Sequence, residues 1–274
     1  MAAIDYEVEY NNRARVPEHP AIIAGWARDA ATYREANPPL RIPYGPSERQ
    51  FIDFFHAAEP DHAAATVVFI HGGYWQNLDP SFFSHMARGP NGRGLNVGIA
   101  GYDLCPAVRV GDIVEELRQA CRELARFEKK LVVAGHSAGG HLTACMLATN
   151  WAAVEEKLPE GFVGAAYAIS GLFELKPLVP TSINYVLGMN DAEAKLMSPL
   201  FWAPPVGLCL DAVVGGEESP EYLRQSRTIV ERWAADGVRT RLEAVPGANH
   251  FTVIAPLADP NSPMSRRIAE LARA

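Results

Sequence analysis

Gly135-His136-Ser137-Ala138-Gly139 is the stretch on which the reading of this chain turns. Before it stands a short apolar, β-branched run at 131–134. Behind it, from Ala138, a helix is expected. A serine held between a strand end and a helix start sits in a sharp, strained turn that pushes its hydroxyl out of the sheet. Small residues two places before and two places after keep side chains from colliding across that turn. Gly135 and Gly139 meet this need, and Gly140 gives the helix room to pack closely. The helix start also leaves free N–H groups and a partial positive charge beside Ser137.

Outward from this turn the pattern alternates. Strands are expected at 66–70, 96–100, 131–134, 162–169, 208–214 and 239–245, and helices at 111–128, 221–235 and 264–273. Strand 66–70 is apolar throughout, as a strand covered on both faces should be. Ile113, Leu117, Cys121 and Leu124 recur at helical spacing. Strand and helix in alternation give an α/β fold, a mostly parallel central sheet with helices on both faces. The expected organisation is one domain over 1–274. The first 45 residues read as an N-terminal extension containing a helix at 21–36. Residues 171–205 break the rhythm with five prolines and read as a cap-like excursion over the sheet's C-terminal edge, where ligands bind in such folds.

Ser137 needs a base, and in elbows of this kind the order is nucleophile, acid, histidine. Only His141 and His250 follow it. His141 lies one helical turn along, pointing away from an outward hydroxyl. His250 follows the last expected strand and is the candidate base. The acid should follow strand 208–214, where Glu217 and Glu218 both qualify and Asp211 lies inside the strand. Spacing leaves the two glutamates equivalent. A second motif, His71-Gly72-Gly73-Tyr74-Trp75, directly follows strand 66–70. Consecutive glycines let the main chain approach a substrate closely. N–H groups of Gly72, Gly73 and Ala138 are the expected oxyanion hole, each such donor contributing about 3 to 4 kcal/mol to acyl transfer. His71 is expected to orient this loop.

Composition narrows the remaining classes. The 274 residues are 48% hydrophobic and 21% charged, so the chain is neither disordered nor a coiled coil. The net charge of −7 and the lack of a basic tract argue against nucleic acid as a partner. No apolar run reaches the roughly 18 residues needed to cross a bilayer, and 1–10 has no signal-peptide character. Cys105, Cys121, Cys145 and Cys209 have no zinc-type spacing. They read as buried thiols of a cytoplasmic protein, with no metal and no cofactor expected.

Together these motifs resemble the α/β-hydrolase superfamily. Within it the resemblance is to the arylformamidase (kynurenine formamidase) family and its bacterial esterase-like relatives. That family carries H-G-G-x-W, matched at 71–75, where hormone-sensitive-lipase-like esterases carry H-G-G-G. The likeness includes Glu9-Tyr10-Asn11, Tyr44-Gly45-Pro46, Ser170-Gly171, Ser219-Pro220-Glu221-Tyr222 with Gln225-Ser226, and His250-Phe251. The family's acid immediately precedes S-P-E-(F/Y), which implies Glu218, a position that is often Asp in relatives. Asn249 stands where relatives often have an acid. The implied function is a serine hydrolase with Ser137, Glu218 and His250 as triad, releasing formate from N-formyl-L-kynurenine. A carboxylesterase or amidase acting on small aryl esters, amides or carbamates is the alternative. The implied partner is a small aromatic substrate, with Tyr74, Trp75, Tyr102, Phe173, Phe201 and Trp202 as candidates for its pocket. A homodimer is compatible with this reading.

Overall fold

The computed structural model describes residues 4–58, 65–159 and 161–274, so the first three residues of the expected N-terminal extension lie outside it. Eight strands form one sheet: β1 (Leu40–Pro43), β2 (Phe51–Phe55), β3 (Thr66–Ile70), β4 (Asn96–Ala100), β5 (Leu131–His136), β6 (Val163–Ile169), β7 (Cys209–Gly215) and β8 (Arg239–Val245). Their order is β1-β2-β4-β3-β5-β6-β7-β8. β1, β2 and β4 pair antiparallel, and every other neighbouring pair is parallel. The helices are α1 (Tyr6–Tyr10), α2 (Asn12–Arg15), α3 (His19–Ala36), α4 (Arg88–Asn91), α5 (Val110–Leu124), α6 (Ala138–Leu147), α7 (Trp151–Val154), α8 (Asn184–Leu187), α9 (Asp191–Leu196), α10 (Pro220–Ala235) and α11 (Pro263–Arg273).

Alternation along the strands builds two apolar layers, because successive side chains of a strand point to opposite faces. Val68 and Ile70 join one layer with α5, α6 and α10. Val67 and Phe69 join the other with α3 and α11. On α5 the expected stripe of Ile113, Leu117, Cys121 and Leu124 is buried, and the helix ends at Leu124 rather than near 128. There Phe127 turns outward, 54% exposed, so nothing apolar extends the buried stripe.

The N-terminal segment is built into the molecule. Tyr10, Val16, Trp26 and Ala30 are buried. β1 and β2 extend the sheet beyond the parallel strands read from sequence. β2 escapes a hydrophobic reading because Asp53 interrupts it. That carboxylate is buried and held by Arg41, with Nε and Nη2 at 2.9 and 3.1 Å. The four cysteines are buried and free. No described helix is long and apolar enough to cross a membrane.

The tightest packing lies where α6 leaves β5. A Cβ at Gly139 would overlap the carbonyl oxygens of Ile70 and His71 at the end of β3. Main chain cannot yield as a flexible side chain can. Gly139→Ala should therefore lower stability by at least about 2 kcal/mol, read as a fall in the urea midpoint with the slope unchanged.

Candidate active site

Ser137 occupies the turn between β5 and α6 with φ 58° and ψ −117°, a conformation that side-chain-bearing residues rarely adopt. Neighbouring bonds hold it there. Its N–H donates to the Ile169 carbonyl at 2.8 Å, and its own carbonyl accepts from His141 N–H at 3.1 Å. Strain of this kind, imposed by surrounding structure, is typical of sites that do chemistry.

His250 lies in the loop after β8 and lines the same cavity as Ser137. Its Nδ1 is 2.6 Å from Glu218 Oε2. The other carboxylate oxygen, Oε1, accepts from Ser170 Oγ at 2.5 Å and from Gly215 N–H at 2.7 Å. Glu218 is thus buried with three donors on it. Of the acids left open by spacing, Glu217 is exposed, and Asp211 turns away to Arg267 at 2.7 Å. With Nδ1 engaged by the carboxylate, Nε2 is the ring nitrogen left for proton transfer. The ring packs against His136 and Tyr222, each with its centroid 4.7 Å away.

Residues 71–78 form the facing wall. Gly73 has φ 111°, and Tyr74, Trp75 and Leu78 also have positive φ. A Cβ at Gly73 would collide with the Asn77 main chain. Among the described residues, no acceptor takes the Gly72 or Gly73 N–H. At the start of α6 the Ala138 N–H has no carbonyl one turn back to bond. His71 Nδ1 donates to the Gly72 carbonyl at 2.8 Å, while Tyr102 stacks on the His71 ring at 4.2 Å and donates to its carbonyl at 2.8 Å.

The cavity measures about 280 Å³ and is lined by Gly72, Gly73, Tyr74, Ser137 and His250 together with N-terminal residues. Ala138 is not among the lining residues. Tyr74 lines it as expected, but Trp75, Tyr102 and Phe173 do not. Those three are wholly buried, where apolar packing places them. Trp75 sits edge-on to His141 at 5.0 Å and Tyr102 stacks on His71. The Phe173 ring fills the space beside Gly171. Phe201 is exposed, and Trp202 packs under Arg118 away from the cavity. The aromatic wall comes instead from Trp26 and Phe251, with Ile23 and Ile183 beside them. Trp26 and Ile23 lie on α3, within the segment expected to be an N-terminal extension, and their apolar side chains were the available signal.

A hydrogen-bonded cluster ties this wall to α10. Tyr74 Oη donates to the Tyr10 carbonyl at 2.6 Å and lies 2.7 Å from Tyr222 Oη. Asn12 Nδ2 donates to Tyr222 Oη at 2.9 Å. Tyr10 Oη donates to Glu221 at 2.9 Å and accepts from Gln225 at the same distance. Burial pushes the phenols of Tyr10, Tyr74 and Tyr222 upward, so all three stay protonated. Among the described residues, no group of three His, Cys, Asp or Glu side chains is placed to hold a metal ion.

A family model described as alpha/beta hydrolase fold matches residues 67–254, more than half of the chain. The chain belongs to the α/β-hydrolase fold family. It is a hydrolase of that family. The kynurenine formamidase of Salmo salar is 29% identical over 80% of this chain and 77% of its own length. That of Drosophila melanogaster is 27% identical over 80% and 76%. Among solved structures, a Silicibacter protein provisionally assigned as a thioesterase superposes with a TM-score of 0.87 and 33% identity, covering 97% of this chain and 99% of its own. An esterase of the bacterial hormone-sensitive lipase family superposes at 0.67 with 23% identity over 94% and 97%, a likeness of fold.

Three buried histidines around the site are neutral. Burial pushes His71 and His141 down to about 4. His136 is lowered further, by burial and then by His250 nearby, and its Nε2–H donates to the His250 carbonyl at 2.8 Å. Unfolded, each would take up a proton near pH 6.5, whereas folded they stay neutral to well below that value. The unfolded state therefore binds more protons in this window. Stability should be highest above pH 6.5 and fall as pH drops toward about 4, by up to about 1.4 kcal/mol per pH unit for each histidine. Urea unfolding of His141→Gln between about pH 7 and 5 should show a slope against pH reduced by one histidine's share.

Proposed function

We propose that this hydrolase is a serine enzyme that removes a formyl group from an aryl amide, with N-formyl-L-kynurenine as substrate. The observation that carries the reading is one cavity holding the Ser137 turn, His250 backed by Glu218, and the unbonded amides of Gly72 and Gly73. Similarity to two kynurenine formamidases over most of the chain supports the substrate.

Ser137 Oγ attacks the formyl carbon while His250 Nε2 takes its proton. Glu218 holds the imidazole tautomer and stabilises the imidazolium, without itself taking the proton. The carbonyl oxygen becomes an oxyanion held by N–H groups of Gly72, Gly73 and Ala138. The imidazolium then protonates the aniline nitrogen, the C–N bond breaks and L-kynurenine leaves. Water, deprotonated by His250, attacks the formyl-serine ester and releases formate. The buried free cysteines suit a reducing compartment such as the cytoplasm.

A second reading, a carboxylesterase or amidase for small aryl esters, is favoured by the likeness to the protein provisionally assigned as a thioesterase. Both readings use the same triad, so the substrate separates them. The test is kcat/KM on N-formyl-L-kynurenine beside p-nitrophenyl acetate. A formyl-kynurenine value above about 10⁴ M⁻¹ s⁻¹ supports the formamidase. Strong ester turnover with negligible formyl-kynurenine hydrolysis sinks it and leaves the esterase.

Ser137→Ala should abolish turnover of both substrates. Glu218→Gln, which keeps the shape and loses the charge on His250, should lower kcat by roughly 10²-fold or more. Unchanged kcat in either variant, with the fold intact by circular dichroism, would rule out the triad.

A further inference from the structure

The cavity that holds Ser137 and His250 is lined mostly by apolar, aromatic and neutral polar groups. Among the described residues that line it, the one acid is Glu7 and the one Lys or Arg is Arg13. Both come from the N-terminal segment, on α1 and α2, expected from sequence to be an extension.

Glu7 is held in place. Ser182, in the excursion between β6 and β7, donates its N–H to Glu7 Oε2 at 2.7 Å and its hydroxyl to Oε1 at 2.8 Å. Each carboxylate oxygen keeps a second lone-pair direction free. Arg13 is exposed, and no acidic side chain among the described residues forms an ion pair with it. The Asn11 side chain fixes the start of its helix by accepting from Ala14 N–H at 3.1 Å. A neutral aryl ester offers nothing for a carboxylate and a guanidinium. An α-amino acid arm offers an ammonium and a carboxylate together.

We propose that Glu7 and Arg13 bind the ammonium and the carboxylate of a zwitterionic amino-acid arm on the substrate's leaving group. The inference rests on the formamidase reading for the position of the arm, and it names the groups that recognise it. Glu7 takes the ammonium through charge-assisted N–H···O bonds, and Arg13 takes the carboxylate with its planar fork. The aryl ring would occupy the same cavity, against Trp26, Ile23 and Phe251, which line it together with Glu7, Arg13 and Ser137. The arm is unchanged by the reaction, so the departing amino acid keeps both contacts and competes with substrate, whereas formate makes neither.

The test is calorimetric and needs no turnover. Dissociation constants are measured for L-kynurenine, for kynuramine, which lacks the carboxylate, and for the desamino analogue, which lacks the ammonium. Each is titrated into wild type, Arg13→Gln and Glu7→Gln. In wild type, loss of either ligand group should weaken binding about three- to tenfold, the range for a partly solvated charge pair. In Arg13→Gln the penalty for the missing carboxylate should disappear while that for the missing ammonium remains, and the reverse should hold in Glu7→Gln. Penalties equal in wild type and variants, or no binding of L-kynurenine to wild type, would overturn the proposal. Hydrolysis of N-formyl-L-kynurenine by wild type is scored separately. If it proceeds while the penalties stay equal, the formamidase stands and the clamp falls. If it is absent while the penalties shift as expected, the clamp stands and the formamidase falls.

Discussion

The site depends on how closely two stretches of main chain approach each other. Where α6 begins, Gly139 lies against the carbonyls at the end of β3. On the other side, a Cβ at Gly72 would come within 2.8 Å of the His136 carbonyl oxygen and 3.1 Å of the Ser137 Cβ. Any side chain at either position would force the strand ends apart. With both absent, the main chains bearing the candidate nucleophile and the candidate oxyanion donors can lie in direct contact. Backbone contacts have no rotamers to lose, so the arrangement is set before a substrate arrives. The strained geometry of Ser137 is tolerated because buried strands and a buried helix clamp it from both sides.

The base is organised by a different device. His250 stands on a loop, and loops are mobile unless tied. Three ties act on it. Glu218 holds Nδ1, His136 donates to the main-chain carbonyl, and the Tyr222 ring packs against the imidazole. Glu218 is tied in turn by Ser170 and by the Gly215 amide, on the neighbouring strand ends of β6 and β7. The candidate acid and base thus take their positions from the sheet's C-terminal edge, where the parallel strands all end.

The parallel strands and the elbow were legible from sequence because each announces itself locally. β3 and β5 each contain a short apolar run, 67–70 and 131–134, and the glycine spacing around Ser137 has few other uses. β1 and β2 were hidden because their pairing is long-range and because the buried Asp53 is satisfied only by Arg41 on the adjacent strand. Tyr74, expected from sequence as a pocket residue, lines the cavity. Trp75, Tyr102 and Phe173 share its aromatic character, yet they support the walls from behind. No local pattern separates a ring that faces a cavity from one that faces the core. Burial on the far side of a loop is decided by residues that arrive from elsewhere, here His141 and His71. The same holds for the acid. Glu217 and Glu218 are adjacent in sequence, and only the turn after β7 sends one inward and the other to solvent.

The cavity wall joins residues from opposite ends of the chain, with consequences for how the molecule is made. Tyr10 meets Gln225, 215 positions away, and Glu9 meets the amide of Glu221, 212 away. The segment bearing Tyr10 is synthesised more than 200 residues before its docking surface on α10. Contacts of such separation are slow to close, because a long loop must be ordered before they form. This wall of the candidate site therefore closes later than contacts between neighbouring elements. Until α10 has been made, the chain carries its elbow serine without the wall that encloses it, and the candidate site stays open.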